Sequence, residues 1–511
     1  MTRAAPAELW TAAIASASDA YTMTEGGVPS PLLMERAALC VSHEVVALRG
    51  GSASAVGVLV GPGHNGGDGL AVARQLHGWG VPVAAWMVTP RYGDAVADQR
   101  AMAQSCGVPI HEGLPGVQDA DRLWVDAMLG TGSRGAPRGA IASALRWLDT
   151  HAPTVVAVDL PSGIDPDTGL MADVAVRAAC TVTFGRSKPG LHITPGRGRA
   201  GRVVVADMGL RPAPGADPRE ALLDPASVAG ALRGLPAGAH KGQRGHLAVV
   251  GGGPGTVGAA LLAAVAGLRM GAGLVTVTSP EPGLASVLAA ARPELMTIPW
   301  TSSAEEVVSQ ATALVVGPGL TTAASWSAAA TLYRDDPRPA LWDASALDTL
   351  ALDGAVPAGP RIVTPHPGEA ARMLARIEPE AGWTSGRVQA SRLAAGRRLA
   401  ECTGAVVVLK GEGTVVVEPD GRVAIAVSGG PALATAGSGD VLAGVGGALL
   451  ARGLHATTVA HAAVHIHGMA GERLGEGRGA VALDIAETVP TVVHALLADA
   501  VHPRWPTRRQ G

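Results

Sequence analysis

The sequence predicts a two-domain α/β protein in which each domain is built on a doubly wound parallel sheet. Three observations predict it. Near-continuous Val/Leu-rich runs alternate with helical stretches, the pattern of strands buried on both faces. A Pro/Ala/Gly-rich interval at 211–239 reads as a linker, and the alternation restarts after it. A chain of 511 residues also exceeds what one ordinary core accommodates.

In the first half, strands are expected at 56–60, 81–88, 123–128, 154–160, 180–184 and 203–206, with helices at 70–79, 94–106 and 141–151. In the second half, strands are expected at 246–250, 274–278, 313–316, 340–342, 361–364 and 406–409. A hairpin is expected from 414–418 and 423–427 around Pro419-Asp420-Gly421, followed by helices that include 441–451 and 458–474. No internal repeat relates the halves.

Composition excludes several classes. Hydrophobic content of 47% with 16% charged residues describes a core-forming chain rather than a disordered one. A net charge of −3 gives no electrostatic reason for nucleic acid or a membrane as partner. Cys40, Cys106, Cys180 and Cys402 are widely spaced, without metal spacing, and read as buried thiols of a cytosolic protein. Glu8 and Asp19 interrupt the N-terminal stretch, which lacks the apolar centre of a signal peptide. The longest apolar region, 256–278, carries Arg269 and several glycines and reads as a buried helix followed by a strand. A cytoplasmic homo-oligomer is expected.

Scarcity marks candidate sites. Asn65 is the only asparagine, Phe184 the only phenylalanine, and Lys188, Lys241 and Lys410 are the only lysines beside a large excess of arginine. Asn65 lies in Gly61-Pro62-Gly63-His64-Asn65-Gly66-Gly67-Asp68-Gly69, where a strand is expected to lead into a helix. Glycines there would let backbone N–H groups approach an anion at a helix start, or would serve a tight turn of positive φ. Polar residues end three more strands: Asp126 before Met128-Leu129-Gly130-Thr131-Gly132, Asp159 before Leu160-Pro161-Ser162-Gly163, and Phe184-Gly185-Arg186-Ser187-Lys188. These groups would converge beyond the carboxyl ends of a parallel sheet. Asn65, Asp126 and Ser162 would make an all-oxygen cation site. Asp159, partly desolvated, would take up and release a proton. The alternative is that Asp126 and Asp159 cap the turns that follow them.

The run of motifs over about 10–210 resembles the NAD(P)H-hydrate epimerase domain, a Rossmann-like sheet. The resemblance implies a potassium ion on Asn65, Asp126 and Ser162, and Asp159 as acid/base. It also implies that the damaged nucleotide is bound by His64, Asn65, Gly66, Gly67 and Asp68, by Gly130, Thr131, Gly132, Ser133, Arg134, Gly135 and Ala136, and by Asp159. His64 stands where many relatives carry a second asparagine.

In the second half, Gly317-Pro318-Gly319, Thr364-Pro365-His366-Pro367-Gly368-Glu369, Lys410-Gly411-Glu412-Gly413-Thr414 and Ala434-Thr435-Ala436-Gly437-Ser438-Gly439-Asp440 follow in order. In the last, small residues would let backbone amides form an anion hole at a helix start. Asp440 beside it would suit deprotonating a hydroxyl during phosphoryl transfer, and would also suit capping the helix. These motifs, over about 225–500, resemble the ribokinase-like superfamily, an α/β/α fold, and within it the ADP/ATP-dependent NAD(P)H-hydrate dehydratase. The resemblance implies that Ala259, Gly319, His366 and Asp440 contact the hydrate, that Lys410, Gly411, Glu412, Gly413, Thr414 and Gly439 bind the nucleotide, and that Mg2+ and ADP serve the reaction. With Asn65 the only asparagine, the Asn-x-x-Glu magnesium motif of sugar kinases is excluded. Gly429-Gly430-Pro431 replaces an asparagine that relatives often carry. His461, His465 and His467 share helical spacing but lie among small apolar residues and read as core or capping histidines.

The expected organisation is an epimerase domain at 1–215 and a dehydratase domain at 225–505. They would act on the hydrates of NADH and NADPH (NADHX and NADPHX), with catalysis by Asp159 and Asp440. The rivals are a vitamin-precursor kinase with a regulatory N-terminal domain, and an N-terminal ligand-sensing or protein-binding module.

Overall fold

The computed structural model describes residues 8–50, 54–171, 173–232, 238–279, 283–299, 309–321 and 323–501. The chain divides into two compact units, Met1–Ala221 and Leu222–Gly511.

Among the described residues, the first unit holds a seven-stranded, wholly parallel sheet. Its order is Ile110–Glu112, Val83–Met87, Val56–Val60, Leu123–Ala127, Thr154–Val158, Cys180–Phe184 and Arg202–Ala206. Strand Val56–Val60 is buried throughout and sends alternate residues to opposite faces. Val56, Val58 and Val60 pack with residues of helices Ser30–Arg49 and His64–Gly78, whereas Leu59 packs with Trp86, Trp124 and helix Gly139–His151. The strand order reverses between Val56–Val60 and Leu123–Ala127, which opens a crevice beyond their carboxyl ends.

Two helices precede the first sheet strand where the sequence reading placed none: Ala12–Thr24 and Ser30–Arg49. The first buries only Ala12, Ala15, Ser18 and Thr22, so its inner face is small and half polar and leaves no apolar stripe to read. A second difference matters for the site. The helix expected at 70–79 starts at His64, inside the glycine run.

The second unit repeats the architecture. Strands Met296–Pro299, Leu274–Ser279, His246–Val250, Ala313–Val316, Ala340–Trp342, Arg361–Val363 and Val406–Leu409 lie parallel in that order. The expected hairpin follows as antiparallel Val415–Val417 and Val423–Ile425. Helices Val257–Met270, Ser438–Ala451, Ala456–Arg473 and Ala482–Val501 contribute to one apolar core with the sheet. The order reverses between His246–Val250 and Ala313–Val316. There the Gly252 N–H donates to the Pro318 carbonyl at 2.8 Å.

The interval 211–239 is more ordered than a linker. It contains strand Glu220–Leu222 and helix Pro225–Ala231, capped by Asp224, which accepts from the N–H groups of Ala226 and Ser227; 233–237 lie outside the described residues. The reading of four buried thiols is corrected: Cys180 and Cys402 are buried, Cys40 is half-buried, and Cys106, just past a helix end, is exposed. No helix among the described residues is long and apolar enough to cross a membrane.

Candidate functional sites

Glycine in the first loop acts through space rather than through φ. None of Gly61, Gly63, Gly66, Gly67 and Gly69 has positive φ. A Cβ on Gly61 would lie 2.0 Å from the Met128 carbonyl oxygen, one on Gly66 2.1 Å from that of Gly61, and one on Gly69 2.4 Å from the Ala127 Cβ. The run therefore lets the helix start press against the carboxyl ends of two strands. Asn65 and Asp68 consequently stand on the first helical turns, buried, with Asn65 Nδ2 donating to the Leu129 carbonyl at 3.1 Å.

Leu129 links Asn65 to the other predicted cation ligands. Its N–H donates to Ser162 Oγ at 2.8 Å, and Ser162 Oγ donates to Asp126 Oδ1 at 2.7 Å. Asp126 Oδ2 accepts from the Ser162 N–H at 2.8 Å, and Oδ1 also accepts from that of Met128 at 3.2 Å. Asp126 is fully buried, and burial pushes its carboxyl up to about 6 against these hydrogen bonds. Among the described residues no Lys or Arg pairs with it. The donor set, a buried carboxyl without a Lys or Arg partner and an amide joined to it through Leu129 and Ser162, is all oxygen and fits a hard cation.

Asp159 is held differently. It is a non-glycine residue at φ 64°, a costly conformation of the kind that persists at functional sites. Its Oδ1 accepts from Lys188 Nζ at 2.8 Å and Thr183 Oγ1 at 3.2 Å, and its Oδ2 from the Thr131 N–H at 3.2 Å. Burial alone would raise its pKa. The Lys188 ammonium, with the hydrogen bonds, outweighs burial and holds the carboxyl below its ordinary value.

A cavity of about 590 Å³ opens at the strand-order reversal, with His64, Asn65, Asp68, Gly130, Thr131, Gly132, Ser133 and Asp159 in its wall. A second cavity of about 260 Å³ shares Leu129, Gly130 and Ser133 with it and adds Gly135 and Ala136. Gly66 and Gly67 serve packing against Gly61 and Met34, and the Arg134 guanidinium turns back to the carbonyls of Thr131 and Ser133. Lys188 and Asp19, both in the cavity wall, had been given no role by the sequence reading. For Lys188 the signal existed, because it is one of three lysines.

In the second unit, helix Ser438–Ala451 starts at the predicted amide-rich turn, with Gly437 at φ 87°. Ser438 is held by buried His467, whose Nε2 lies 3.1 Å from its Oγ and 3.0 Å from its carbonyl oxygen. Lys410 Nζ pairs with Asp343 Oδ1 at 2.6 Å and lies 3.8 Å from Glu369 Oε2. Glycine at 439 makes room for them: a Cβ there would lie 3.2 Å from Lys410 Nζ and 3.4 Å from Asp343 Oδ2. Burial, then Asp343 and Glu369, push Asp440 up to about 7 against the opposing pull of Lys410. Glu369 Oε2 accepts from the His366 N–H at 2.7 Å, which ties His366 to this group.

Ala259, on the first turn of helix Val257–Met270, and Gly319 stand at the strand-order reversal, where Thr256 Oγ1 donates to the Gly319 carbonyl at 2.8 Å. The loop from Lys410 to Thr414 is braced from beneath by buried Arg392, which donates to the carbonyls of Leu409 at 2.9 Å and Gly413 at 3.3 Å. Glu412 is exposed on it. Asp343 and Arg392 were not singled out from sequence, and Glu369 was named only as the end of the Thr364–Glu369 motif, without a role. Asp343 carried the same mark as Asp126 and Asp159, an acid at the carboxyl end of an apolar strand.

A family model described as YjeF-related protein N-terminus matches residues 30–190, and one described as NAD(P)H-hydrate dehydratase matches residues 247–491. The bifunctional NAD(P)H-hydrate repair enzyme Nnr of Moorella thermoacetica is 36% identical, over 96% of this chain and 97% of its own. The enzyme of the same name from Escherichia coli is 35% identical, over 87% and 86%. Among solved structures, the ADP/ATP-dependent NAD(P)H-hydrate dehydratase from Bacillus subtilis, co-crystallized with ATP/Mg2+, is 26% identical with a TM-score of 0.47, and the match covers 54% of this chain and 98% of that one. With relatives of that identity aligned along nearly its whole length, the chain belongs to the family of bifunctional NAD(P)H-hydrate repair enzymes.

Proposed function

We infer that the chain epimerises the R and S hydrates of NADH and NADPH in a domain at 1–215, and dehydrates the S form at the expense of ADP in a domain at 225–505. Supporting this reading is the contrast between two carboxylates, Asp159 kept ionised by Lys188 and Asp440 raised to about 7.

The hydrated ring carries its hydroxyl on C6, next to N1. Inversion there requires a C6 bond to break and reform. The Asp159 carboxylate accepts the hydroxyl proton as the C6–N1 bond opens to a carbonyl, and closure on the other face returns the proton to oxygen. Asn65, Asp126 and Ser162 would hold a potassium ion, which would supply positive charge beside the nucleotide.

In the second unit, Asp440 takes the C6 hydroxyl proton and the oxygen attacks the terminal phosphorus of ADP, releasing AMP. The amides at Gly437–Gly439 face the transferring group, while Lys410 and the loop to Thr414 hold the nucleotide. Bound with the nucleotide, magnesium would supply positive charge that offsets that of the phosphates. Departure of phosphate, pushed by the N1 lone pair, and release of the C5 proton to water then restore the C5–C6 double bond. Ala259, Gly319 and His366 would contact the hydrate.

The test is incubation of an R/S hydrate mixture with ADP and magnesium, followed by dihydronicotinamide absorbance. Full recovery is expected. Asp159→Asn should leave only the S form repaired, Asp440→Asn should leave neither, and no recovery by the unaltered enzyme would refute the reading.

A further inference from the structure

Epimerisation by ring opening needs two proton transfers at different atoms. The hydroxyl oxygen loses a proton as C6 becomes a carbonyl, and N1 gains one as its bond to C6 breaks. An ionised base holds no proton for N1 until it has taken the one on oxygen, so a concerted opening needs a second group. Lys188 is the nearest cation to Asp159, but its ammonium is committed: it donates to Asp159 Oδ1 at 2.8 Å, Thr183 Oγ1 at 2.9 Å and the Phe184 carbonyl at 3.0 Å. With three hydrogens and three acceptors, it has none to aim at substrate.

Helix Ala12–Thr24 offers another group. Ala15, Ser16, Asp19, Ala20 and Met23, spaced to share one helix face, line the 590 Å³ cavity opposite no other charge of their own element. The opposite face is anchored. Ser18 Oγ accepts from the Ala213 N–H at 3.2 Å, Thr22 Oγ1 from that of Arg211 at 2.9 Å, and the Ala12 N–H donates to Asp167 Oδ1 at 2.7 Å. Asp19 is thus fixed in the wall, and its Oδ1 is buried with no hydrogen-bond partner among the described residues. A carboxyl oxygen with no protein partner, in the wall of a substrate-sized cavity, is available to a ligand.

We propose that Asp19 is a second catalytic residue of the epimerisation, the acid that protonates N1 while the Asp159 carboxylate takes the hydroxyl proton. On ring closure both transfers reverse: Asp159 returns its proton to oxygen and Asp19 recovers one from N1, so no external acid, base or redox partner is consumed. The proposal rests on the epimerase reading given above. The surroundings agree with the division of labour. Burial, then Asp159 against the pull of Lys188 and of His64, raises the Asp19 carboxyl, whereas Lys188 lowers that of Asp159. Neighbouring carboxyls driven apart in this way take opposite roles. Asp68, in the same wall, is pushed up by burial, Asp159 and Asp19 and is the competing acid.

The test uses the full chain and its own second activity as an internal control. Purified R hydrate, supplied with ADP and magnesium, reports epimerisation through recovered dihydronicotinamide; purified S hydrate reports dehydration alone. Asp19→Asn should lower kcat on the R form by about a hundredfold or more, change KM far less, and leave turnover of the S form intact. Asp19→Glu should restore part of the kcat, and it carries the comparison if Asp19→Asn does not fold. R-form turnover by Asp19→Asn equal to the unaltered enzyme overturns the proposal, as does loss confined to Asp68→Asn. An unaltered enzyme that never converts the R form overturns the epimerase reading itself, and this assignment with it.

Discussion

Lys188 and Asp159 form an enclosed ion pair of 2.8 Å, with side chains 2% and 9% exposed. The lysine satisfies its remaining hydrogens on Thr183 and Phe184, so the pair is a closed unit that sets the charge of the carboxylate facing the cavity.

Replacing Lys188 by methionine leaves that carboxylate buried without its cation. Breaking such a pair costs about 3–5 kcal/mol, and the carboxyl should respond by taking up a proton. Epimerisation at neutral pH should collapse while dehydration of the S form continues. The pH window follows from the direction of the shift. Asp159 is lowered from 3.8, so its stabilising contribution is complete above 3.8 and is lost as pH falls through the folded value. Thermal unfolding should show that acid-dependent loss in the natural sequence and not in Lys188→Met.

Asp440 has the opposite sign. Its folded value near 7 lies above the ordinary 3.8, so the folded state binds a proton that the unfolded state releases. Its contribution to stability is full below 3.8 and is lost as pH rises toward 7. Asp440→Asn should therefore melt higher than the natural sequence above pH 7, while reducing dehydration by about a hundredfold or more. As a base it must be ionised, so the dehydration rate should rise with pH through about 7. Asp343→Asn should move that limb to lower pH and Lys410→Met to higher pH, because Asp343 raises and Lys410 lowers the Asp440 carboxyl. A pH–rate profile on purified S hydrate reads all three.

The sheets were legible because parallel strands buried on both faces print as apolar runs. Strands Cys180–Phe184, Ala340–Trp342 and Val406–Leu409 fall at the residues expected. Helix Ala12–Thr24 was not, since its buried face is made of alanine, serine and threonine. Of the candidate site, the residues that stand out singly by type or by place in a motif were legible, as with Asn65, Asp126, Asp159 and Asp440. The ion pairs were not: nothing local in the sequence joins Lys188 to Asp159, 29 residues away, or Lys410 to Asp343, 67 away. Those distances are closed by the sheet order, which brings strand ends together.

Asn65 offers a separation of the two activities. Its amide is tied to Leu129, and through Ser162 to Asp126, whose carboxylate has no Lys or Arg partner among the described residues. Asn65→Ala should lower epimerisation and leave dehydration intact. Exchanging potassium for tetramethylammonium should likewise lower epimerisation of the natural sequence, and should have no further effect on Asn65→Ala. Rates on the two purified epimers in each salt decide it.

The glycine run gives a graded test of close packing. Helix propensity alone favours alanine over glycine by roughly 1 kcal/mol in a helix interior. At Gly66 that gain is overridden, because the new Cβ would lie 2.1 Å from the Gly61 carbonyl oxygen, a backbone atom that cannot swing aside. Gly66→Ala should destabilise the first unit by about 1–3 kcal/mol and lower epimerisation. Gly67→Ala meets the terminal Met34 Cε at 3.0 Å, a flexible tip that turns away, and should be tolerated. Gly63→Ala meets nothing within 4 Å and has φ −105°, so it should be neutral. Thermal unfolding of the three variants should therefore order as Gly66→Ala well below the other two. If Gly63→Ala were as damaging as Gly66→Ala, the run would be needed for backbone conformation rather than for the approach of the helix to the strand ends.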